Sequence, residues 1–437
     1  MKKRNLICLV LISVLLLCGC QIRTVEEMYE PPKRSDDFYS LQTVINNAMV
    51  GLQYSAPISG ENQQIVQTAD LDGDEVMECI LFAKGGNDIP LHILIFSMEK
   101  GEYVHEQTIH LPGAAFDKVE YAPIDSNPGV ELIVGSQVSD QVSRSVYVYS
   151  FAHEEAQQLV TEDYVNFLTA DLDTNGKSEL FVLRSGSTET SRGIVELFSV
   201  YDGVMERSNE VSMSEPATKL RRILTGQLQD GKPAVYVASA VDEDTLITDV
   251  YTIVDGFFTN VSLSNDSGTS IKTMRNYFVY ADDIDSDGVI ELPSLIPTRS
   301  IDTARPDSGQ NLIQWYGLTS KGEQVDKLHT YHHFIGGWYL QLESQLSDRI
   351  SIMDLGNICD FYVWDQGTPV KVLTIHTLTG QSRESQSTAD NRFILYKAES
   401  AIYSGELYNS SAQYNFTQET VLRSFFMIRE NWYTGET

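Results

Sequence analysis

Two stretches of the chain, TADLDGDEVMECILF at residues 68–82 and TADLDTNGKSELFVL at residues 169–183, are nearly the same fifteen letters. Each begins with an acidic segment that also contains Gly, a composition that favours a tight turn. An apolar run that is typical of a buried β-strand follows each segment. A third acidic segment starts at Asp283. A motif that recurs at long intervals indicates a repeated structural unit.

Two weaker copies lie between the three strong ones. Residues 121–134 read YAPIDSNPGVELIV, and residues 225–237 read TGQLQDGKPAVYV. We number each loop from its first aligned residue, so that loops 1 to 5 start at residues 70, 123, 171, 227 and 283. The steps between these starts are 53, 48, 56 and 56 residues. Such near-constant spacing is typical of a repeat architecture.

Each repeat contains further strand-like runs after the acidic segment. In the third repeat, Ile194–Val200 and Val204–Val211 flank a turn at Asp202-Gly203, which indicates antiparallel strands. Four strands in roughly fifty residues is the size of one propeller blade. We therefore predict a mainly β protein in which residues 53–345 form a β-propeller that contains the five repeats. The propeller is expected to have about five to seven four-stranded blades.

The repeat pattern fades after residue 345. Strands are predicted at Phe361–Trp364, Val370–Thr377 and Phe393–Tyr396, and a helix at Gln418–Ile428. We interpret residues 346–437 as a small α+β C-terminal domain. The alternative is a last, divergent blade with a helical tail.

The first residues have the pattern of a targeting segment. Three basic residues precede an apolar run that is too short to span a bilayer. The stretch Leu17-Cys18-Gly19-Cys20 resembles a bacterial lipobox, in which the last cysteine is lipidated. We therefore predict a lipoprotein signal peptide at 1–19, lipidation at Cys20, and a tether with a short helix over 20–52; a plain secretory signal is the alternative. The lipid would hold the protein on the extracytoplasmic face of the membrane.

The chain is strongly acidic. Its net charge is −30, and removal of residues 1–19, which carry three basic and no acidic residues, would make it −33. Such a surface repels nucleic acid and anionic lipid, and it suits an environment rich in divalent cations. We expect no nucleic-acid partner.

The acidic loops have the spacing of a cation site. Oxygen-bearing side chains at positions 1, 3, 5 and 9 of a tight loop can converge on one hard cation, and a high ligand number favours calcium over magnesium. Acidic turns without a metal are the alternative reading. The predicted calcium ligands are Asp70, Asp72, Asp74 and Glu78 in loop 1, Asp171, Asp173, Asn175 and Glu179 in loop 3, and Asp283, Asp285, Asp287 and Glu291 in loop 5.

The three loops are not equal in sequence. Loop 5 has four carboxylates and Gly288 at position 6, so it is expected to be a stronger site than loop 3, which has Asn175 at position 5. Loops 2 and 4 have lost the first ligand to Pro123 and Gln227, and we expect them to bind no metal.

The loops, the strand after each loop and the spacing of about fifty residues resemble FG-GAP or VCBS-type repeats, as in the calcium-bearing blades of integrin α-subunit propellers. The order of residues 54–57, residues 59–62 and loop 1, with residues 337–340 ahead of a C-terminal module, is similar to lipoproteins of clostridia-like bacteria. The resemblance implies a calcium-bearing propeller on the outer face of the membrane, and it implies no established activity.

Catalytic motifs are absent from the sequence: it has no GxSxG, HExxH, CxxC or phosphate-binding glycine loop. His329, His332 and His333 form the one histidine cluster, and strand alternation allows at most two of them to share a face. We therefore expect a membrane-anchored binding or scaffold module for a protein, glycan or cell-wall ligand, and not an enzyme. The alternative is a surface polysaccharide hydrolase or lyase, for which the aromatic residues Trp315, Tyr316, Trp338 and Tyr339 would stack on sugar.

Overall fold

The computed structural model describes residues 36–86, 89–138, 144–152, 155–276, 279–301 and 309–429. The predicted signal peptide, Cys20 and residues 21–35 of the predicted tether lie outside these residues. Among the described residues, no helix is both long enough and apolar enough to cross a membrane.

The described residues form six antiparallel sheets, which confirms the predicted mainly β, propeller-type architecture. Sheet 1 contains β1 (Gln53–Tyr54), β2 (Val66–Ala69), β3 (Glu78–Lys84), β4 (Leu91–Glu99) and β5 (Glu102–Leu111). Sheet 2 contains β6 (Ala115–Ala122), β7 (Glu131–Gln137), β8 (Arg144–Ser150) and β9 (Gln157–Tyr164). Sheet 3 contains β10 (Asn166–Ala170), β11 (Glu179–Arg184), β12 (Ile194–Tyr201) and β13 (Val204–Ser212).

The other three sheets follow in chain order. Sheet 4 contains β14 (Leu220–Gln227), β15 (Pro233–Ala240), β16 (Leu246–Val254) and β17 (Phe257–Asn260). Sheet 5 contains β18 (Leu292–Pro297), β19 (Asn311–Leu318), β20 (Gln324–His333), β21 (Trp338–Leu342) and β27 (Phe425–Met427). Sheet 6 contains β22 (Ile350–Asp354), β23 (Ile358–Asp365), β24 (Thr368–Thr379), β25 (Phe393–Lys397) and β26 (Ala401–Leu407). The α-helices are α1 (Asp36–Ala48), α2 (Arg383–Gln386) and α3 (Gln418–Ser424).

Apolar clusters join each sheet to the next along the chain. In β11, Leu180 and Val182 pack toward sheet 2, whereas Phe181 and Leu183 pack toward sheet 4. Successive side chains of a strand point to opposite faces, so a strand that lies between two sheets needs apolar residues at every position. This is why the segment after each acidic loop is a continuous apolar run and does not alternate with polar residues.

Helix α1 covers the face of sheet 1 that points away from sheet 2. Its residue Ile45 is buried with Cys79, Leu81 and Phe96, and further apolar residues of the helix pack against the same cluster. The opposite face of the same strands supplies the cluster shared with sheet 2. The helix therefore gives sheet 1 the second apolar cover that the inner sheets receive from their neighbours.

The C-terminal region supplies the sixth sheet. The three predicted strands are present, and the predicted helix ends at Ser424 because β27 pairs with β21 of sheet 5. Trp338 of sheet 5 and Phe361 of sheet 6 belong to one apolar cluster, together with Val421 of α3. The boundary that the sequence predicts at residue 346 therefore falls within a continuous core.

Candidate metal centres

The acidic loops occupy equivalent places in the sheets. Loops 1 to 4 connect the strand pairs β2–β3, β6–β7, β10–β11 and β14–β15, and loop 5 precedes β18. In loops 1, 2, 3 and 5 the residue before position 1 pairs with position 9, as Ala69 does with Glu78. The shared register places the position-9 acid at the start of a buried strand in all four loops.

The three acid-rich loops share an unusual backbone. Positions 4 and 6 both have positive φ in each loop, at 79° and 69° in loop 1, 62° and 86° in loop 3, and 64° and 87° in loop 5. Glycine adopts this left-handed region at little cost, whereas other residues are strained there. Loop 1 has Gly73 at position 4 and Glu75 at position 6, and loops 3 and 5 have glycine at position 6. Loop 1 therefore follows the same backbone path as loops 3 and 5, although its glycine, Gly73, is at position 4 and not at position 6.

Three carboxylates converge in each of these loops. The clusters have ligand atoms that all lie within 4.8 Å of one another, and each contains positions 1, 3 and 9. They are the only groups of three or more His, Cys, Asp or Glu with metal-holding geometry in the part of the chain that the structure describes. The members are Asp70, Asp72 and Glu78; Asp171, Asp173 and Glu179; and Asp283, Asp285 and Glu291.

The residue at position 5 is not part of these clusters. Its side-chain oxygen instead accepts a hydrogen bond from the backbone N–H at position 7, at 2.7 Å for Asp74, 2.7 Å for Asn175 and 2.9 Å for Asp287. Such a bond closes an Asx-type turn. The structure thus brings together three of the four predicted side-chain ligands of each loop, and the fourth holds the loop in shape.

The acid at position 9 is the most buried member of each cluster. Glu78, Glu179 and Glu291 are 4%, 2% and 0% exposed, and each accepts a hydrogen bond from the backbone N–H at position 2. Burial, together with the charges of neighbouring carboxylates, raises the pKa of all three to about 7. A cation beside these oxygens would reverse that effect because it favours the ionised form.

The donor set fits a hard divalent cation. Carboxylate oxygens are the ligands that calcium and magnesium prefer, and three of them converge in each loop. Oε1 of Glu291 is fully buried and has no hydrogen-bond partner among the described residues. A buried carboxylate oxygen without a partner is costly, so an ion that binds it would remove an unfavourable contact.

Loop 2 keeps oxygen-bearing side chains at positions 3, 5 and 9, but it has Pro123 at position 1. Glu131 accepts hydrogen bonds from the backbone N–H groups of Ile124 and Asp125, at 2.6 and 3.2 Å. Asp125 in turn accepts from Ser150 and from the side chain of Asn127. This loop therefore satisfies its acids with hydrogen bonds, and the position-9 acid has a structural role apart from any metal.

Neighbouring loops are joined by a repeated backbone hydrogen bond. The N–H at position 8 of one loop donates to the carbonyl at position 1 of the loop before it. Loop 4 does not make this bond to loop 3. Ala234 pairs with Gly226 as Glu78 pairs with Ala69, so Pro233 stands at position 8, and proline has no N–H to donate. The three bonds are Val130 to Asp70 (3.0 Å), Ser178 to Pro123 (2.7 Å) and Ile290 to Gln227 (3.1 Å).

Sequence reasoning missed two residues that face the loops. The ammonium group of Lys327 lies 3.8 Å from Asp285 and 3.7 Å from Glu291, and it also forms an ion pair with Asp287. Glu106 lines a cavity of about 540 Å³ beside loop 1, together with Asp72 and Glu78. Both residues lie on the third strand after the loop, Glu106 on β5 and Lys327 on β20, far from the loop in sequence, so no local spacing marks them.

The histidines and aromatic residues that the sequence singled out are core residues. His333 stacks on Trp338, with ring centroids 4.9 Å apart, and its Nε2 lies 3.2 Å from Asp354. His332 packs among aromatic rings that include Trp315 and Tyr339. Trp315, Tyr316, Trp338 and Tyr339 are at most 5% exposed, so these side chains offer no surface on which a sugar could stack.

No protein-family model matches the sequence, and no curated protein does either. The solved structures that the chain resembles include an exotype rhamnogalacturonan lyase, YesX (10% identity, TM-score 0.30, 66% of this chain and 63% of that chain). Others are a rhamnogalacturonan lyase of Bacillus licheniformis (10% identity, TM-score 0.30, 66% of each chain) and Sqt1 of Chaetomium thermophilum bound to the N-terminus of ribosomal protein L10 (9% identity, TM-score 0.31, 78% of this chain and 94% of that chain). The chain thus spans less than two thirds of the first lyase, and likenesses this weak carry no argument.

The sheets and the loops themselves define the class. The chain is a mainly β protein of propeller type, with three Asp-Asp-Glu clusters that could hold metal ions.

Proposed function

We propose that this protein is a lipid-anchored, extracytoplasmic propeller of FG-GAP or VCBS type, stabilised by calcium, that serves as a binding or scaffold module for a protein, glycan or cell-wall ligand. The observation that carries the proposal is the position of the acidic clusters. Each cluster lies in a loop whose backbone is hydrogen-bonded to the loop of an adjacent sheet. An ion bound there would stiffen the contact between two sheets, which is a structural role.

Bound calcium would supply positive charge to carboxylates that otherwise repel one another. The chain's own residues prepare the site. The carboxylate at position 1 accepts two backbone N–H groups of its loop, as Asp171 does from Asn175 and Gly176 at 3.1 and 2.9 Å. The backbone therefore holds this carboxylate in place before any ion binds.

A binding role is favoured over catalysis by the same contacts. The cluster carboxylates are held by backbone N–H groups of their own loops and, in loop 5, by Lys327. Groups held in this way suit structure more than proton transfer. The membrane anchor in the proposal depends on Leu17-Cys18-Gly19-Cys20.

Two measurements on the full chain in detergent test the proposal. Calorimetry should give a higher melting temperature in calcium than in chelator, with only partial recovery in magnesium, because the smaller ion demands an octahedral shell. An unchanged melting temperature would leave only acidic turns. Glycan and peptide arrays should then show a bound ligand that is not degraded; a glycan that is bound and cleaved would indicate the polysaccharide hydrolase or lyase instead.

A further inference from the structure

A β-bulge recurs in four sheets, on the third strand after the acidic loop (β5, β9, β13 and β20). The pairing of this strand with the strand before it shifts by one residue in sheets 1, 2, 3 and 5. In sheet 1, Phe96 pairs with His105 and Ile95 with Gln107, which leaves Glu106 extra. The extra residue is Glu106 in sheet 1, Leu159 in sheet 2 and Lys327 in sheet 5. In sheet 3, Ser208 and Asn209 lie opposite Leu197, and Ser208 has the place of Glu106 because Phe198 pairs with Arg207 as Phe96 pairs with His105.

A bulge changes the direction of a side chain, and in sheets 1 and 5 the side chain of the extra residue lies beside the loop. Lys327 pairs with three acids of loop 5, two of which belong to its cluster. Glu106 shares a cavity with Asp72 and Glu78 of loop 1. The bulge position thus places a cation at loop 5 and an anion at loop 1, and the corresponding residue of sheet 3, Ser208, is uncharged.

We infer that the side chain at the bulge decides which cation each loop holds, and that the ammonium group of Lys327 takes the place of a divalent ion in loop 5. The inference rests on the proposed function, because it assumes that the other two clusters bind calcium. It predicts two bound calcium ions per chain, in loops 1 and 3.

The ammonium of Lys327 and a divalent ion cannot both occupy the carboxylate cluster of loop 5. The ammonium lies within 4 Å of Asp285 and Glu291, two of the three carboxylates that calcium would need at about 2.3–2.6 Å. A divalent ion among the same oxygens would be close enough to the ammonium for strong repulsion. The ammonium lies 3.7 Å from Oε1 of Glu291, an oxygen that no described residue hydrogen-bonds. Lys327 therefore meets the need for charge at loop 5 from within the chain.

This inference reverses the ranking that the sequence predicts. Loop 5 has four carboxylates where loop 3 has three, but the ammonium of Lys327 already offsets part of that charge. Loop 1 gains a further negative charge from Glu106, so it should bind calcium more tightly than loop 3, where the bulge residue is neutral.

Counting bound calcium tests the inference. Full chain in detergent is dialysed to equilibrium against about 10 mM calcium, roughly tenfold above the weakest affinity expected of such modules. Wild type should bind two ions. Lys327→Ser, which installs the residue of sheet 3, should bind three, and the reverse exchange Ser208→Lys should reduce the count to one.

Lys177→Ser is the matched control, since it removes the same charge beside loop 3 from a lysine whose ammonium donates to the carbonyl of Asn127; its count should stay at the wild-type value. Equal counts for Lys327→Ser and wild type would overturn the inference. If Lys327→Ser does not fold, an unreduced count in Ser208→Lys would overturn it. A wild-type count of zero with one ion in Lys327→Ser would refute the calcium role of loops 1 and 3 and still support the inference.

Discussion

The two roles of the position-9 acid can be separated by a pair of substitutions. Glu179 of loop 3 accepts the N–H of Leu172 at 2.8 Å and belongs to a carboxylate cluster. Glu131 of loop 2 accepts the N–H of Ile124 at 2.6 Å and belongs to none of the clusters found among the described residues. Glu179→Ala should therefore remove a structural contact and a metal ligand, whereas Glu131→Ala should remove the structural contact alone.

The expected magnitudes follow from these contacts. A buried N–H left without a partner costs about 1–3 kcal/mol, and this cost applies to both variants with or without metal. In about 2 mM calcium, a site with a dissociation constant of about 10⁻⁴–10⁻³ M stabilises the fold by roughly 1–2 kcal/mol. Glu179→Ala loses this second amount in calcium and not in chelator. Glu131→Ala should lower the free energy of unfolding by an equal amount in calcium and in chelator.

Differential scanning calorimetry at pH 8, above the raised pKa of about 7 of Glu179, can resolve the difference. An unfolding entropy of about 2 cal/mol/K per residue over some ~380 residues makes 1 kcal/mol equal to about 1.3 °C. Glu179→Ala should thus lower the melting temperature by about 1–3 °C more in calcium than in chelator. An equal calcium dependence in the two variants, or none in wild type, would refute the reasoning.

Three further predictions concern other parts of the chain. Cys20→Ala should move the protein from the membrane fraction to the soluble or secreted fraction, and wild-type fractionation of this variant would contradict the lipobox reading. Glu75→Gly should raise the melting temperature, because it relieves a left-handed φ of 69° that costs about 1 kcal/mol. A free energy of unfolding below that of wild type in denaturant titrations would argue against strain at Glu75. Burial lowers the pKa of His332 to about 3, so the fold requires the neutral ring. The contribution of His332 to the free energy of unfolding should be complete above pH 6.5 and should fall below it, by about 2 kcal/mol at pH 5. His332→Phe should flatten this slope, and the exposed His105→Phe should not.

The sequence alone identified the repeat, the strand after each loop and the position-1, -3 and -9 acids. These features depend on local chemistry: turn-forming residues, carboxylates at alternate positions and an apolar run recur within fifteen letters. The apolar run is continuous because each such strand lies between two neighbours. Local order also determines that Asp74 and its counterparts close the turn; their role as ligands stays a prediction.

Only the tertiary structure decided which side chains meet the loops from elsewhere. Lys327 is 36 residues from Glu291 in sequence, and a one-residue shift in strand pairing brings its ammonium among the acids of loop 5. The same holds for the sixth sheet, whose core is shared with sheet 5, and for β27, which returns to sheet 5 after sheet 6 is complete. Strand register depends on packing across the whole sheet. A residue's neighbours along the chain therefore predict the loop, whereas the side chains that meet the loop from other strands are known only once the strand register is known.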